Sequence, residues 1–454
     1  MPERIIRFAP WLAGLLVVCA YVLIDRHGPA ATHDSLYYLQ GASYWLQTGT
    51  FSNNYWGTVQ PEVHYAPLFS GVLALLAGVS GSTPLAVAHW LMPLLAGLNL
   101  ALFGGILHFW RWSKLHIAGM LLIIGTAFPF FSMHWHIWSE PMYLSCILAA
   151  ALLLLQWQKS GQTALLLLAA SMAGFSVLVR YAGLFMLPLF VLAIYQARKS
   201  HLWRNIFVFS AVSLLPFALW TIRNKLLAQS LSSRSLFWDW AGVHEFLRAV
   251  ETLISWGNLA LLGLAVLFIC FRRKRNLLPD SWIWLAGGSL YVILIFLAKS
   301  AVDKQIPIDA RLLSPLLLPI LLIFGREMML WSAKQRTVWI AIALVGGLVQ
   351  GASFAAGAYR DGWAFNDRRL LEEGTPLRQM QAVLPQEAPV FATDVDAHYL
   401  AYLLEREVNY LSRGEALPTG AYFLRWKAPL PETSTIEGSD ILLDGLVWHR
   451  RKAP

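Results

Sequence analysis

Long apolar runs follow one another along most of the chain, and they constrain the fold more than any other feature. A helix needs about 20 apolar residues to cross the hydrocarbon core of a bilayer. Eleven runs approach or exceed that length, which predicts a polytopic α-helical membrane protein with about 11 transmembrane helices. The runs are residues 8–24, 84–110, 117–133, 140–157, 163–179, 183–197, 205–222, 252–271, 281–298, 312–330 and 337–358.

Composition agrees with this prediction and excludes other classes. Only 13% of the 454 residues are charged, whereas a soluble domain has about 25%. The formal charge of +9 does not indicate nucleic-acid binding, because the basic residues lie in short clusters between apolar runs, as in cytoplasmic loops. We therefore expect membrane lipids, and no nucleic acid, among the partners.

The basic clusters also predict the orientation of the chain. A shorter apolar run, residues 66–80, contains Pro67, Gly71 and Gly78. If this run does not cross the membrane, all five clusters fall on the cytoplasmic side, as the positive-inside rule requires. We interpret the run as re-entrant or interfacial, which places a large first loop, residues 25–83, on the outer face. The clusters are residues 111–116, 158–162, 197–204, 271–276 and 332–336.

The chain changes character after residue 358. Apolar segments of strand length occur in APVFA, VNYL, GAYFLRW and DILLDGLVWHR, and a helix is expected from about Ala397 to Glu405. The sequence therefore predicts two domains. Residues 1–358 form the transmembrane domain, and residues 359–454 form a small α/β extracytoplasmic domain.

The first outer loop carries an acid beside aromatic residues in the stretch HDSLYY. Asp34 stands where the N-cap of a helix is expected, and capping alone explains an aspartate there. Tyr37, Tyr38, Tyr44 and Trp45 suit an amphipathic helix lying in the headgroup region. A carboxylate held there beside apolar walls is a candidate general base. The residues alone leave both interpretations of Asp34 open.

A second group of candidate residues precedes the non-crossing segment, in EVHYAPLFSG. Glu62, His64 and Tyr65 come just before a proline and two glycines, which indicate a tight local path. His64 could contact a polar substrate, and it is equally compatible with a capped or solvated histidine.

The next outer loop, HWHIWSEPMY, adds histidines and a second acid. Glu140 begins a predicted span, where an acid complements the helix dipole whether or not it has another role. His134 and His136 alternate as some metal ligands do, but no dense set of ligands surrounds them.

Basic residues on the outer face run against the positive-inside bias. Arg180 ends a span in SVLVRYAG, and DKQIPIDARLLSP supplies Lys304 and Arg311. A guanidinium fork suits an anionic ligand such as a phosphate, whereas snorkelling is the usual reason for a cation at a helix end.

Taken together, these motifs resemble the GT-C class of membrane glycosyltransferases. The resemblance is to the branch of polyprenyl-phosphate-sugar enzymes that includes protein mannosyltransferases and lipid A aminoarabinose transferases. HDSLYY resembles the acid-plus-aromatic motif of the first loop, and HYAPLFSG the proline-containing stretch after it. WSEP resembles the second acidic motif, LVRYAG a basic motif after the fifth span, and DARLLSPLLLPI a late Arg-Leu-Leu-x-Pro stretch.

The resemblance implies a GT-C-like fold and an inverting glycosyltransferase at the outer face of a bacterial inner membrane. The sugar would pass from a polyprenyl-phosphate donor to a hydroxyl of a glycan, lipid or protein acceptor. Asp34 and Glu140 would be catalytic, with Asp34 accepting the proton, while Arg180, Arg311 and Lys304 would bind the donor phosphate. Metal dependence varies in this class, so a divalent metal ion stays open. The residues expected to line the substrate pocket are Tyr37, Tyr38, Glu62, His64, Tyr65 and His136.

Two other functions are compatible with many spans. A transporter or flippase would also have polar residues near one face, but secondary transporters usually have matching halves, and the sequence has none that we can recognise. An O-antigen ligase or polymerase would be expected to have its largest outer loop late in the chain, whereas here it comes first.

Overall fold

The structure of the chain is a computed structural model. It describes residues 3–24, 29–55, 58–197, 200–228, 247–251, 279–301 and 310–361, and in the C-terminal part residues 384, 387, 389–392, 400, 404, 408–410, 421–426, 439–443 and 446–450. The chain divides into two compact units. The first unit comprises Met1–Pro29, Ala66–Phe69 and Ala88–Asp361, and the second comprises Ala30–Tyr65, Ser70–Val87 and Gly362–Pro454.

Helices dominate the described part of the chain, and most of them coincide with the apolar runs. In chain order the elements are α1 Glu3–Ile24, α2 His33–Thr48, β1 Ser52–Tyr55, β2 Thr58–Pro61, α3 Leu68–Ser80, α4 Pro84–Phe109, α5 Lys114–Thr126, α6 Phe128–Trp135, α7 Glu140–Ser160, α8 Thr163–Val179, α9 Leu187–Ala197, α10 Leu202–Ala228, α11 Pro279–Ala301, α12 Ala310–Leu313, α13 Leu317–Met328, α14 Ala333–Asp361, β3 Val390–Ala392, β4 Asn409–Tyr410, β5 Tyr422–Trp426, β6 Ser439–Leu443 and β7 Leu446–Arg450.

Several of these helices can cross a membrane by length and composition. Within the described residues, four single helices are long and apolar enough to cross a membrane. The bent pair of α5 and α6 gives a fifth candidate span if the two helices are counted together. The four are Pro84–Phe109, Glu140–Ser160, Leu202–Ala228 and Ala333–Ser353. Five shorter apolar helices coincide with other predicted spans or with the predicted non-crossing run: Phe8–Leu23, Leu68–Ser80, Thr163–Val179, Tyr181–Ala197 and Trp284–Ser300. The chain is therefore a multi-pass membrane protein. The predicted total of about 11 stays a prediction, since the run at 252–271 lies outside the described residues.

Some of the predicted spans are broken in the described part of the chain, which the apolar runs alone did not indicate. The run at 117–133 divides into α5 and α6, which are bent by 60° at Ala127. Ala127 has an extended backbone, and Pro129 follows in the first turn of α6. Proline has no N–H for a continuing helix and fits the first turn of a new one, so the break follows from its position. The run at 312–330 likewise divides into α12, a 3₁₀ turn and α13.

Close backbone approaches hold the helices of the first unit together. Helix α8 packs against α7 and α10, and α5 packs against α1 and α14. After α8 the chain forms a 3₁₀ helix, Tyr181–Met186, which returns onto the end of α8. A Cβ placed on Gly183 would lie 2.7 Å from the carbonyl carbon of Ser176. Only glycine allows the two backbone segments to come this close.

The N-terminal part of the second unit is a small, tightly bonded structure. Helix α2 packs against β1, and β1 pairs antiparallel with β2, with Ser52 opposite Pro61. Trp45 of α2 lies beside Gly71 of α3, where an added Cβ would be 2.7 Å from the indole ring. This arrangement fixes α2, whose N-terminal turn carries Asp34.

The described C-terminal strands form one five-stranded sheet in the order β4-β3-β5-β7-β6. Strand β3 is parallel to both β4 and β5, while β7 is antiparallel to β5 and β6. The stretch DILLDGLVWHR therefore contains two paired strands rather than one run. Residues 397–399, 401–403 and 405 of the expected helix lie outside the described residues, so the α/β domain of residues 359–454 stays a prediction.

Candidate active site

Asp34 lies in the first turn of α2 and is not its cap. The N-cap is Thr32, whose backbone N–H donates to Ser35 Oγ at 2.9 Å. Because Thr32 is the N-cap, the interpretation of Asp34 as the cap of this helix is wrong. Asp34 is only partly buried, and its Oδ1 accepts a hydrogen bond from the Tyr65 hydroxyl at 2.8 Å.

An aromatic cluster surrounds the phenol that bonds Asp34. The ring of Tyr65 stacks on Tyr37 with a centroid distance of 5.0 Å and meets Tyr38 edge-on at 5.3 Å. Burial, followed by the negative charge of Asp34, raises the pKa of Tyr65 far above that of a free tyrosine. The phenol therefore stays protonated and keeps donating to the carboxylate across the physiological pH range.

The burial of this cluster corrects one detail of the amphipathic-helix prediction. Tyr37 and Tyr38 are each only 5% exposed, whereas Trp45 is 44% exposed. The two tyrosines are thus buried in the protein rather than presenting their rings to lipid headgroups. Both tyrosines contact the ring of Tyr65, whose hydroxyl bonds Asp34.

Glu62 holds the turn that presents Tyr65. Its carboxylate accepts the backbone N–H groups of His64 at 2.6 Å and Tyr65 at 2.7 Å, and it also accepts the Asn53 side-chain amide of β1. Glu62 is fully buried. The sequence placed its carboxylate in a substrate pocket, but in the structure the carboxylate accepts hydrogen bonds from three donors of the protein itself. His64 is partly buried and its ring lies against Tyr65, with centroids 4.9 Å apart.

In the first unit, Arg180 forms an ion pair with the buried side chain of Glu140. Glu140 is the first residue of α7, and Arg180 follows the last residue of α8 in an extended conformation. The two helices pack against each other, which brings the two residues together although 40 positions separate them in the chain. Side-chain exposure is 1% for Glu140 and 17% for Arg180, so the guanidinium is the partner that solvent or a ligand can reach.

Tyr291 of α11 connects this pair to a later part of the chain. Like Tyr143 of α7, it lies close enough to Arg180 to interact with the charge of the guanidinium. The Tyr291 hydroxyl donates to the backbone carbonyl of Leu312 at 3.0 Å, which fixes α12 next to α11. The backbone of Arg311 lies in α12. Its side chain and the whole of Lys304 lie outside the described residues.

A polar network that the sequence did not reveal supports the start of α7. Asn99 of α4 is buried, and its Nδ2 lies 2.9 Å from both His134 Nε2 and the Pro141 carbonyl. Its Oδ1 accepts the Ser145 hydroxyl at 2.7 Å. A lone amide inside the predicted span 84–110 was the signal, because polar groups at membrane depth are costly unless they are bonded.

The histidines of this region serve the packing of α6. Nδ1 of His134 lies 2.7 Å from the Phe130 carbonyl and Nδ1 of His136 lies 2.8 Å from the Ser132 carbonyl, so each ring donates back into its own helix. The His136 ring also stacks on Trp138, with centroids 4.0 Å apart. Among the described residues, no group of three or more His, Cys, Asp or Glu side chains could hold a metal ion. A divalent metal ion stays an open prediction.

Comparison with solved structures decides the fold. ArnT from Cupriavidus metallidurans, bound to undecaprenyl phosphate, superposes with a TM-score of 0.63 at 14% identity, over 96% of this chain and 97% of that one. Its apo structure gives 0.59 over the same shares at 14% identity. The chain has the GT-C fold.

The solved structure of a second protein with this fold agrees with the assignment. The Archaeoglobus fulgidus oligosaccharyltransferase, in complex with Zn and sulfate, gives a TM-score of 0.51 at 12% identity, over 87% of this chain and 62% of that one. The resemblance predicted from the short motifs is therefore confirmed for the fold. No protein-family model matches the sequence, and no curated protein sequence is significantly similar to it.

Proposed function

We propose that the chain is an inverting glycosyltransferase that moves a sugar from a polyprenyl-phosphate donor to an acceptor hydroxyl at the outer face of a bacterial inner membrane. The observation that carries this proposal is the GT-C fold, which extends over nearly the full length of both chains in the match to ArnT bound to undecaprenyl phosphate. A match over nearly the whole of both chains covers the connecting loops as well as the helices, and binding and catalytic residues are disproportionately found on loops.

Asp34 is the proposed general base. A base must be ionised to accept a proton, and a hydrogen bond donated to a carboxylate favours its ionised form. The Tyr65 hydroxyl donates such a bond at 2.8 Å, which also fixes the direction in which the carboxylate points. Asp34 is partly exposed, so an acceptor hydroxyl can reach it. Proton removal of this kind contributes about 10² to 10⁴ in rate.

Arg180 is proposed to bind the phosphate of the donor. The polyprenyl phosphate gains negative charge as the bond to the sugar breaks, and a preorganised cation stabilises that charge. Glu140 touches Arg180 directly, so we assign it the role of positioning the guanidinium rather than a reaction with substrate. Arg311 and Lys304 are proposed as further phosphate contacts, on the basis of their motif alone.

The first test is complementation of cells that lack the gene. Mass spectrometry of envelope glycolipids and glycoproteins should find a hexose or pentose that is lost without the gene and restored by the wild-type chain. Asp34→Asn, which keeps the shape of the side chain, should reach the membrane at normal levels and fail to restore the sugar. Gln47→Ala, at an exposed position of the same helix, is the control and should restore it. Full restoration by Asp34→Asn would contradict the base assignment.

The second test separates the phosphate contact from the base. Arg180→Gln should weaken binding of undecaprenyl phosphate to the purified protein by about tenfold or more, because a charged hydrogen bond contributes about 1.5–3 kcal/mol. Lys225→Gln, at an exposed position near the end of α10, is the matched control. Equal affinities of the two variants would rule out a direct role of Arg180 at the donor phosphate.

A further inference from the structure

A groove in the first unit is unrelated to the residues of the proposed reaction. It has a volume of about 520 Å³ and is lined by one face each of α1, α4 and α5. Three of its positions are glycines of α4, Gly97, Gly104 and Gly105, and a fourth is Gly14 of α1. A Cβ added to Gly14 would have no heavy atom within 4 Å, so this glycine faces open space.

The length of the groove corresponds to one leaflet of a bilayer. Along α4 it extends from Gly97 to His108, which at 1.5 Å per residue is about 16 Å. Half of a hydrocarbon core of about 30 Å is about 15 Å. An acyl chain of an ordinary phospholipid therefore fits along the groove, whereas a polyprenyl chain is several times longer.

The charged groups of the groove lie at one end. His108 is in the last turn of α4 and Lys114 is the first residue of α5, and both line the groove. Arg111 is exposed in the turn between them. All other lining residues are apolar, and none is acidic. A basic end on an apolar groove between spans suits the phosphate of an anionic lipid.

The outward face of α1 beside the groove is apolar as well. Trp11, Leu12 and Leu15 are between 53% and 71% exposed, as expected of side chains that contact acyl chains. A lipid can therefore enter from the side, without passing through the protein. The basic end belongs to segment 111–116, which the positive-inside rule assigns to the cytoplasmic leaflet.

We propose that this groove is a binding site for an anionic glycerophospholipid, with one acyl chain between α1 and α4 beside Gly14 and the phosphate at Lys114 and His108. The site is independent of the sugar-transfer reaction, since none of its residues belongs to the proposed base or donor contacts. The partner is thus a structural lipid that fills the space between α1, α4 and α5.

Native mass spectrometry of the full-length protein in a mild detergent tests the proposal. With phosphatidylglycerol and phosphatidylethanolamine added separately, the wild-type protein should retain one phosphatidylglycerol with at least fivefold preference. Lys114→Gln should lower the affinity for phosphatidylglycerol by about fivefold, because one lysine near an anionic lipid surface contributes about 1 kcal/mol of binding free energy. Lys159→Gln, an exposed lysine at the end of α7, is the matched control and should bind as the wild type does.

A second pair of variants tests the apolar part of the groove. Gly14→Leu should remove the retained lipid by filling the groove, and it should not harm α1, because leucine favours a helix more than glycine does. Ala20→Leu adds a large side chain at an exposed position of α1 outside the groove and should leave binding unchanged. Equal retention of both phospholipids, or retention of undecaprenyl phosphate in place of phosphatidylglycerol, would overturn the proposal. A change of oligomeric state in Gly14→Leu without loss of lipid would also overturn it.

Discussion

Replacing Asn99 by alanine should cost the transmembrane part of the protein an unusually large amount of stability. The side chain makes three hydrogen bonds, to His134 Nε2, the Pro141 carbonyl and the Ser145 hydroxyl. A carbonyl can only accept, so the short contact of His134 Nδ1 with Phe130 O places the ring proton on Nδ1. Nε2 is then an acceptor that depends on the Asn99 amide.

The size of the effect follows from these bonds. Hydrogen bonds between helices in a membrane contribute about 0.6 kcal/mol on average and up to about 1.7. Three of them give about 2–5 kcal/mol. Because Pro141 directly follows Glu140, loosening this network should also displace the start of α7, so that donor affinity falls together with stability.

Reversible unfolding in mixed micelles, followed by tryptophan fluorescence, measures the change in the free energy of unfolding. Asn205→Ala is the matched control, since Asn205 is also buried and its amide donates to one carbonyl, that of Ser200, at 3.1 Å. We expect about 0.5–1.5 kcal/mol for this control, because its single bond is local to the start of α10. If the two variants lose the same stability, the three-bond network does not hold α4, α6 and α7 together.

Three further predictions concern Tyr65, Glu62 and Gly183. Tyr65→Phe should lower sugar transfer by about 10- to 100-fold and move the acid limb of the pH–rate profile to higher pH, because Asp34 loses a donor to its ionised form; an unchanged limb would contradict the contact. Glu62→Ala should cause a similar loss of transfer, and the double variant should be no worse than either single one, as kinetics of all three would show. Gly183→Ala should lower the free energy of unfolding by about 1–3 kcal/mol, because its Cβ would meet the backbone of α8, whereas Gly14→Ala in open space should not; equal melting temperatures would refute this.

Hydropathy predicted the helices well wherever a span is continuous. Helix α8 covers Thr163–Val179, the same residues as the predicted run, and α7 begins at Glu140 as expected. Lipid and protein interior both demand apolar side chains, so the extent of a run limits the extent of a helix. The break at Ala127 escaped this reasoning, since Pro129 is apolar and does not interrupt hydropathy although it interrupts the backbone.

The candidate site was predictable as a set of residues but not as a set of contacts. Asp34 and Tyr65 were both identified from their motifs, and their hydrogen bond depends on the β1–β2 hairpin that brings residues 31 positions apart together. Glu140 and Arg180 were identified separately, and their pairing depends on the packing of α7 against α8. Asn99 was missed because a single amide in an apolar run carries no periodic signal.

The ion pair of Glu140 and Arg180 bears on how quickly such a protein could turn over. The carboxylate of Glu140 offsets part of the positive charge of Arg180. A second anion is therefore attracted to the guanidinium more weakly than it would be to an arginine without a counter-ion. A phosphate that reaches it is held less firmly than at an uncompensated cation, and it leaves more readily once its sugar has gone. The packing of α7 against α8, which pairs the two residues, would therefore favour release of the polyprenyl phosphate after sugar transfer.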